Sequence, residues 1–528
     1  NDNFGLTPSV FQPIGRGRDA QNAPPAFSVG RNPCFFATFA HLRTKKIRPM
    51  TQLHTLAQPG ANDHLVVLSD KQELGWADSL LTPAEAAFLR QLAQGPTGHA
   101  LFTGGGRILV VELLEAKGSA QQVREATRRA ASDRLDLLRH YRVEHVAVLN
   151  HSQKHRSLDY AEGMVLANYQ FLKYFKEKKE KTTPLQSVSL MADQVSEESL
   201  RELQVLCEAV CMARDLVNEP VNFLSAQQLS KEFARMGGLA GFSVNVLEKA
   251  EIEALGMGGL LSVNLGSQQP PTFTVMEYKS ANARNDRPVV LVGKGVVYDT
   301  GGLSLKPTLN SMDSMKCDMA GAAAVGGILY AAAKNRLPVH LIGLVPATDN
   351  RPGENAYVPG DVIRISDGTT VEVLNCDAEG RLILADALHY AKQYGPQLVI
   401  DFATLTGAAA VAVGPQGIVY MGTAPETVKT DLENSGLEVR ERLVEFPLWD
   451  DYADLLRSDI ADMKNIGGSS AGAITAGKFL QHFTDYPWLH LDIAGGAFLS
   501  SSEGYRPKGG TGQGVRLVYD FLKNGRLG

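Results

Sequence analysis

Hydrophobic and polar positions first settle into a regular rhythm at His64, where an alternating, strand-like run extends to Leu68. Thr82, Pro83 and Glu85 then form a capping box with proline at the first helical position, which predicts a helix through Leu92. The run from Arg107 to Glu112 reads as a buried strand, residues 119–141 as a charged amphipathic helix, His145 to Leu149 as another strand, and residues 157–178 as another helix. Such alternation predicts a small α/β domain. Ser196 caps a longer helix that reaches Val217, with Leu200, Leu203, Cys207, Val210, Ala213 and Val217 along one stripe. It ends at Asn218 and Glu219, because Pro220 disfavours helix in the residue before it. Further on, strand-like runs at 288–293, 339–346, 398–404 and 488–493 are separated by helical stretches, which predicts a larger α/β domain. The expected organisation is a Pro-, Gly- and Asn-rich arm or insertion at 1–60, a smaller amino-terminal α/β domain at 61–195, an interdomain helix at 196–217 and a larger domain at 218–528. Two domains also suit the length, since single cores stop growing near roughly 250–300 residues.

Composition narrows the function classes. A formal charge of -5 gives no global attraction to nucleic acid or anionic lipid. The basic run Lys173, Lys176, Lys178, Lys179 and Lys181 reads as the solvated end of the helix over 157–178, diluted by Glu177 and Glu180 and lacking an aromatic platform. No apolar run approaches the roughly 20 residues that span a bilayer. Five cysteines, odd in number and scattered, predict a reducing compartment, with Cys207 and Cys211 as a helix-core pair. A soluble, cytoplasmic protein is expected. The chain does not begin with Met, which leaves room for a removed targeting segment.

Candidate chemistry lies in the larger domain. Val289 to Gly293 is an apolar strand that runs into Lys294, Asp299, Gly301, Gly302 and Lys306, and ligands in open α/β sheets bind beyond the carboxyl ends of strands. Asp318 precedes a run of small residues and could equally be a helix cap. Asp377 and Glu379 stand two apart after Asn375 and Cys376, a spacing that in an extended segment projects both carboxylates to one side. Each carboxylate alone has a bland explanation as cap, turn residue or ion-pair partner. Asp299, Asp318, Asp377 and Glu379 gathered in one pocket would repel one another, and hard divalent cations are the simplest remedy. Rival glycine-loop readings fail on spacing, and the histidines fall outside these motifs, which disfavours a His-based zinc site or a metallophosphoesterase.

These segments resemble the signatures of the leucyl aminopeptidase family of two-metal exopeptidases. The run from Asn375 to Leu382 differs from the family pattern only at Cys376, where Thr is usual, and the loop from Lys306 to Asp318 is one residue longer than in many members. Similarity continues at 213–218, 403–408, 459–465 and 490–495 and is thin before about residue 160. The resemblance implies a two-domain α/β fold whose catalytic domain has a central mixed sheet. It implies two divalent metals, zinc or manganese: one on Asp299, Asp377 and Glu379, and a tighter one on Lys294, Asp299, Asp318 and Glu379. It also implies Lys306 as oxyanion stabiliser, a bicarbonate at Arg381, and a substrate pocket of Met315, Thr404, Gly407 and Ala494 with the main chain of Leu405 steadying the peptide. The implied substrate is a peptide with a free amino terminus and an apolar first residue, and the implied assembly a homohexamer. Some members act on DNA, a role that only the lysine run supports here; a catalytically dead scaffold is disfavoured because the key polar positions are all present.

Overall fold

The computed structural model describes residues 50–528 except 97, 116–117, 153–155 and 178–181 within the chain and 526–528 at its end. Six strands form the first sheet: β1 (Gln52–Leu56), β2 (His64–Asp70), β3 (His99–Gly104), β4 (Arg107–Leu114), β5 (His145–His151) and β6 (Ser187–Met191). Their order is β1-β6-β5-β2-β4-β3, parallel except at the β3–β4 edge. A parallel sheet covered on both faces needs near-continuous apolar runs, and β4 supplies one, buried from Ile108 to Leu114. The helix Pro83–Ala93 starts with the expected capping box at Thr82 and Glu85.

Three local expectations change. Residues 52–56, read as irregular, are the edge strand β1, ordered by pairing with the distant β6 rather than by any local pattern. The helix expected over 119–141 is two, Ala120–Asp133 and Leu135–His140, pinched where the Arg134 amide reaches back only to Ala131 O. The helix expected over 157–178 is Arg156–Ala167, because Asn168 turns its side-chain amide onto Thr51 Oγ1 and Leu185 O. Lys173 consequently does not end a solvated helix: it pairs with Glu219 at 2.6 Å and lies over the Phe223 ring. Lys176 is exposed, and Lys178, Lys179 and Lys181 lie outside the described residues, as does Cys34.

The long helix forms as Glu197–Asn218, with the Ser196 hydroxyl accepting from Ser199 N. Gln204 Oε1 on it accepts from Leu53 N of β1, while buried Arg214 donates to the carbonyls of Leu166, Tyr505 and Thr511. Beyond it come β7 (Ser243–Leu247), β8 (Thr272–Lys279), β9 (Val289–Gly293), β10 (Gly295–Asp299), β11 (His340–Asn350), short β12 (Val362–Arg364) and β13 (Thr370–Glu372), β14 (Leu398–Ala403), β15 (Ile418–Gly422), β16 (Leu443–Glu445), short β17 (Met463–Lys464) and β18 (Trp488–Asp492). Nine of these make a mixed sheet, ordered β16-β15-β18-β14-β9-β11-β8-β7 with β10 paired to β11. Its centre, β18-β14-β9-β11, is parallel, and β8 and β15 join antiparallel.

Alternate residues of these central strands serve opposite faces. Val289, Leu291 and Ile400 join the core containing the helix Ala320–Lys334, whereas Val290, Val292 and Val399 join the one containing Gly380–Ala391. Gly321 lets the first helix approach the sheet, since a Cβ there would lie 2.0 Å from Phe402 O. The carboxyl ends of β9, β10, β14 and β18 thus bring Lys294, Asp299, Thr404 and Ile493 to one edge of the sheet. No described helix is long and apolar enough to cross a membrane.

Candidate active site

The site starts where β9 leaves the sheet. Lys294 N still donates to Phe402 O, and its carbonyl accepts from Ala322 N, each at 3.0 Å, so the residue is pinned between a strand and a helix. The chain re-pairs as β10 and ends at Asp299, after which Gly301 and Gly302 turn with φ of 84° and 60°, a region that favours glycine. Gly301 N donates to Asp299 Oδ1 at 2.8 Å. Past the turn, the Lys306 ammonium folds back onto Asp299 at 2.9 Å and also onto Asp377.

Asp318 is the C-cap of the short 3-10 helix Met312–Cys317 and does not N-cap the helix that follows: Met319 holds that position, without a side-chain bond. The Asp318 carboxylate accepts from Thr404 Oγ1 at 2.8 Å and meets Lys294 Nζ at 2.9 Å. The expected extended geometry for Asp377 and Glu379 is also absent. Asn375 closes a turn by accepting from Asp377 N on its side chain and from Ala378 N on its carbonyl, and Glu379 has helical angles ahead of Gly380–Ala391. The turn nevertheless delivers both side chains to the cluster, with Glu379 at 2.8 Å from Lys294 Nζ. Gly380 makes room for that lysine, since a Cβ there would stand 2.6 Å from its Cε.

Carboxylate oxygens of Asp299, Asp318 and Glu379 lie within 4.8 Å of one another, and these residues are 2%, 3% and 1% exposed. Asp377 is outside that trio but shares Lys306 with Asp299. So many buried charges do not sit easily together. Burial, then the charge of Glu379, pushes Asp299 up to about 7. Burial likewise raises Asp318 and Asp377. For Glu379 burial acts upward too, but Lys294 and Lys306 outweigh it and its pKa falls. Burial would lower Lys294, yet Asp318, Glu379 and Asp299 prevail and hold it as an ammonium.

The donor set fits divalent cations on one further observation. Glu379 Oε2 is buried with no hydrogen-bond partner, and Asp318 Oδ2 and Asp377 Oδ1, though within ion-pairing reach of a lysine, accept no well-formed hydrogen bond. Buried carboxylate oxygens without donors are costly unless a cation satisfies them.

The remaining expected residues surround this cluster at different removes. Thr404 adjoins it directly, through Asp318 and through its carbonyl, which accepts from Lys294 Nζ at 3.0 Å. Leu405 N and Ala494 N both donate to Asp492. Met315 is half-buried, with its carbonyl accepting from Asp318 N, and Gly407 is exposed at the start of Gly407–Val413. Arg381 pairs with none of the four carboxylates. Its Nη1 donates to Asn465 O at 2.7 Å, its Nε is buried without an acceptor, and burial draws its pKa down to about 10.

Several supporting residues escaped sequence reasoning. Asn350 donates to both Asp299 Oδ1 and Cys376 O, fixing the β10 turn against the Asp377 turn. Asn465 accepts from Leu374 N and donates to Asn375 O, which holds the same turn from outside. Asn350 ends a buried strand, where an asparagine looks the same whether it binds a neighbour or faces solvent, and Asn465 lies in the 459–465 segment, which stands out by its family likeness and not by any local pattern. Cys376, the departure from the family pattern, is buried and donates its thiol to Tyr357 O, away from the carboxylates.

Comparison with known proteins places this geometry in context. Residues 211–519 match the family model described as the cytosol aminopeptidase family, catalytic domain. A probable cytosol aminopeptidase of Syntrophotalea carbinolica is 44% identical over 445 residues, covering 81% of this chain and 89% of that one. Another, from Chlorobaculum parvum, is 52% identical over 315 residues, covering 59% and 62%. Among solved structures, the bottromycin maturation enzyme BotP in complex with Mn matches with a TM-score of 0.77 at 31% identity, over 88% of this chain and 99% of that one. A mutant of tomato leucine aminopeptidase matches with a TM-score of 0.79 at 26% identity, over 90% and 96%.

Proposed function

This chain belongs to the cytosol aminopeptidase family, hydrolases that act at peptide amino termini, and on that premise we propose a two-metal enzyme that prefers leucine and other apolar first residues. The observation that carries the reading is the convergence of Asp299, Asp318, Asp377 and Glu379 on two lysines, with buried carboxylate oxygens left without donors. Asp299, Asp377 and Glu379 would hold one cation, and Lys294, Asp299, Asp318 and Glu379 the other. Two such ions, zinc or manganese, supply a water of lowered pKa and a polarised scissile carbonyl.

The chain's own groups do the rest. Lys294 must lose its proton to act as a ligand, which a neighbouring dication favours. Lys306 then faces the developing oxyanion with an ammonium that need no longer neutralise Asp299 and Asp377. Arg381, with a buried Nε free to donate, would hold a small anion such as bicarbonate, and that anion would supply a proton relay between the water and the leaving amine. Asp318 accepts a hydrogen bond from the substrate amine, and the first side chain falls among Met315, Thr404, Gly407 and Ala494 while Leu405 steadies the peptide main chain. The assembly is a homohexamer in the cytoplasm, and the acidic net charge disfavours nucleic acid as a partner.

Leucine amide, its N-acetylated form and a generic phosphodiester, each with and without manganese, test this reading together. Manganese-dependent cleavage of leucine amide alone is expected. Efficient cleavage of the acetylated compound would overturn the anchoring of the free amine, and phosphodiester cleavage would overturn the reaction class.

A further inference from the structure

The segment after β14 carries three successive residues tied in two directions. Thr404 is bound to the carboxylate cluster, its hydroxyl to Asp318 at 2.8 Å and its carbonyl to the Lys294 ammonium at 3.0 Å. The next two residues are bound elsewhere. Leu405 N donates to Asp492 Oδ1 at 3.1 Å and Thr406 Oγ1 to Asp492 Oδ2 at 2.7 Å. The same Oδ1 accepts from Ala494 N, also at 3.1 Å. Asp492 closes β18, is 1% exposed, and pairs with no lysine or arginine among the described residues. Its hydrogen bonds go to two backbone amides and one hydroxyl, and the charge it faces is that of His490 on the same strand.

We propose that Asp492 is a positioning residue that sets the spacing between the two walls of the substrate pocket, 404–407 and 494, and locks the first of them to the carboxylate cluster. The inference rests on the pocket assignment under Proposed function. Two features make one carboxylate suited to the task. Amide–carboxylate bonds are roughly twice as strong as neutral ones, and both walls share one acceptor atom, so neither shifts without the other. Two residues back along β18, on the same face as Asp492, His490 is bonded to Asp401 at 2.6 Å, with Asp401 also accepting from Trp488 Nε1 at 2.7 Å. This buried group ties β14 to β18 two residues before both walls leave the sheet. Thr406 contributes at its own end, since its hydroxyl also accepts from Ala409 N and so caps the helix Gly407–Val413.

A misplaced wall weakens substrate binding and blurs the choice of first side chain, because positioning errors near 1 Å already cost catalysis heavily. Asp492→Ala in the metal-loaded protein is expected to raise KM and to lower the preference for leucine amide over alanine amide by about tenfold, with metal content unchanged. Asp492→Asn keeps an oxygen for both amides and should restore most of that preference. Equal loss in the two variants, or metal lost in step with activity, would overturn the proposal. Thr406→Val removes its bond to Asp492 together with the cap on Ala409 N, and a preference unmoved by it and by Asp492→Ala would do the same. Hydrogen exchange separates this proposal from the pocket assignment. Amides 405 and 494 should exchange faster in Asp492→Ala whichever substrate the enzyme takes, and unchanged protection there would show that the carboxylate fixes neither wall.

Discussion

At the scale of single residues, the two lysines of the site have different duties. Lys294 is 3% exposed and wedged between Asp318 and Glu379, whereas Lys306 reaches in from beyond the Gly301–Gly302 turn and is not needed to complete either ligand set. Lys306→Ala should lower kcat by roughly a hundredfold, the scale of losing an oxyanion stabiliser, while both metals stay bound. Metal analysis of the purified variant decides the matter, since loss of metal in step with kcat would make Lys306 structural. Most of these residues were legible in the sequence because polar groups interrupted otherwise apolar or glycine-rich runs. Asn350 and Asp492 were not, because an Asn or Asp that ends a buried strand looks the same whether it binds a neighbour or faces solvent. The spacing of Asp377 and Glu379 was informative for the wrong reason, since a turn and not an extended strand carries them.

At the scale of elements, the helix Gly380–Ala391 has to approach the site closely and stay fixed. Gly380→Ala would drive a methyl group into the Lys294 side chain, where the Cβ would stand 2.6 Å from Cε. Metal affinity should fall by an order of magnitude or more by this displacement, with folding retained because the obstructed atoms are the end of a flexible side chain. Calorimetric titration with manganese checks it, and unchanged affinity would show that Lys294 is no ligand. Nearly two turns further along, Asp386 anchors the helix by accepting from Leu260 N and Ser366 N, each at 2.9 Å. Complete burial pushes its pKa from 3.8 up to about 7. A carboxyl held more tightly protonated in the folded state contributes stability fully below its unfolded pKa, and that contribution is lost as pH rises through its folded one. Asp386→Asn should therefore flatten the part of the pH–stability curve between 3.8 and about 7, and an unaltered slope in denaturant titrations would contradict it. Strands and caps were the most legible elements, because burial and capping are written locally. The edge strand β1 and the early stop at Ala167 were not, since both depend on partners more than ten residues away.

For the whole molecule, the two sheets and the helix Glu197–Asn218 follow the alternation visible in the sequence, while strand order could not, because pairing between distant segments leaves no periodic trace. The proposed hexamer is equally invisible in one chain, although closed symmetry is the usual route for soluble oligomers. Light scattering should give a mass near six times 57.0 kDa for active protein, and a mass near one chain would refute it. The central claim concerns the metals, and it is tested most directly by counting them in the chelated, reconstituted and Glu379→Ala proteins alongside turnover of leucine amide. The account predicts no turnover after chelation, recovery as manganese is restored to two ions per chain, and loss of both metal and activity when Glu379 is replaced. Full activity in chelated protein, or two bound ions and near-normal turnover in Glu379→Ala, would contradict it.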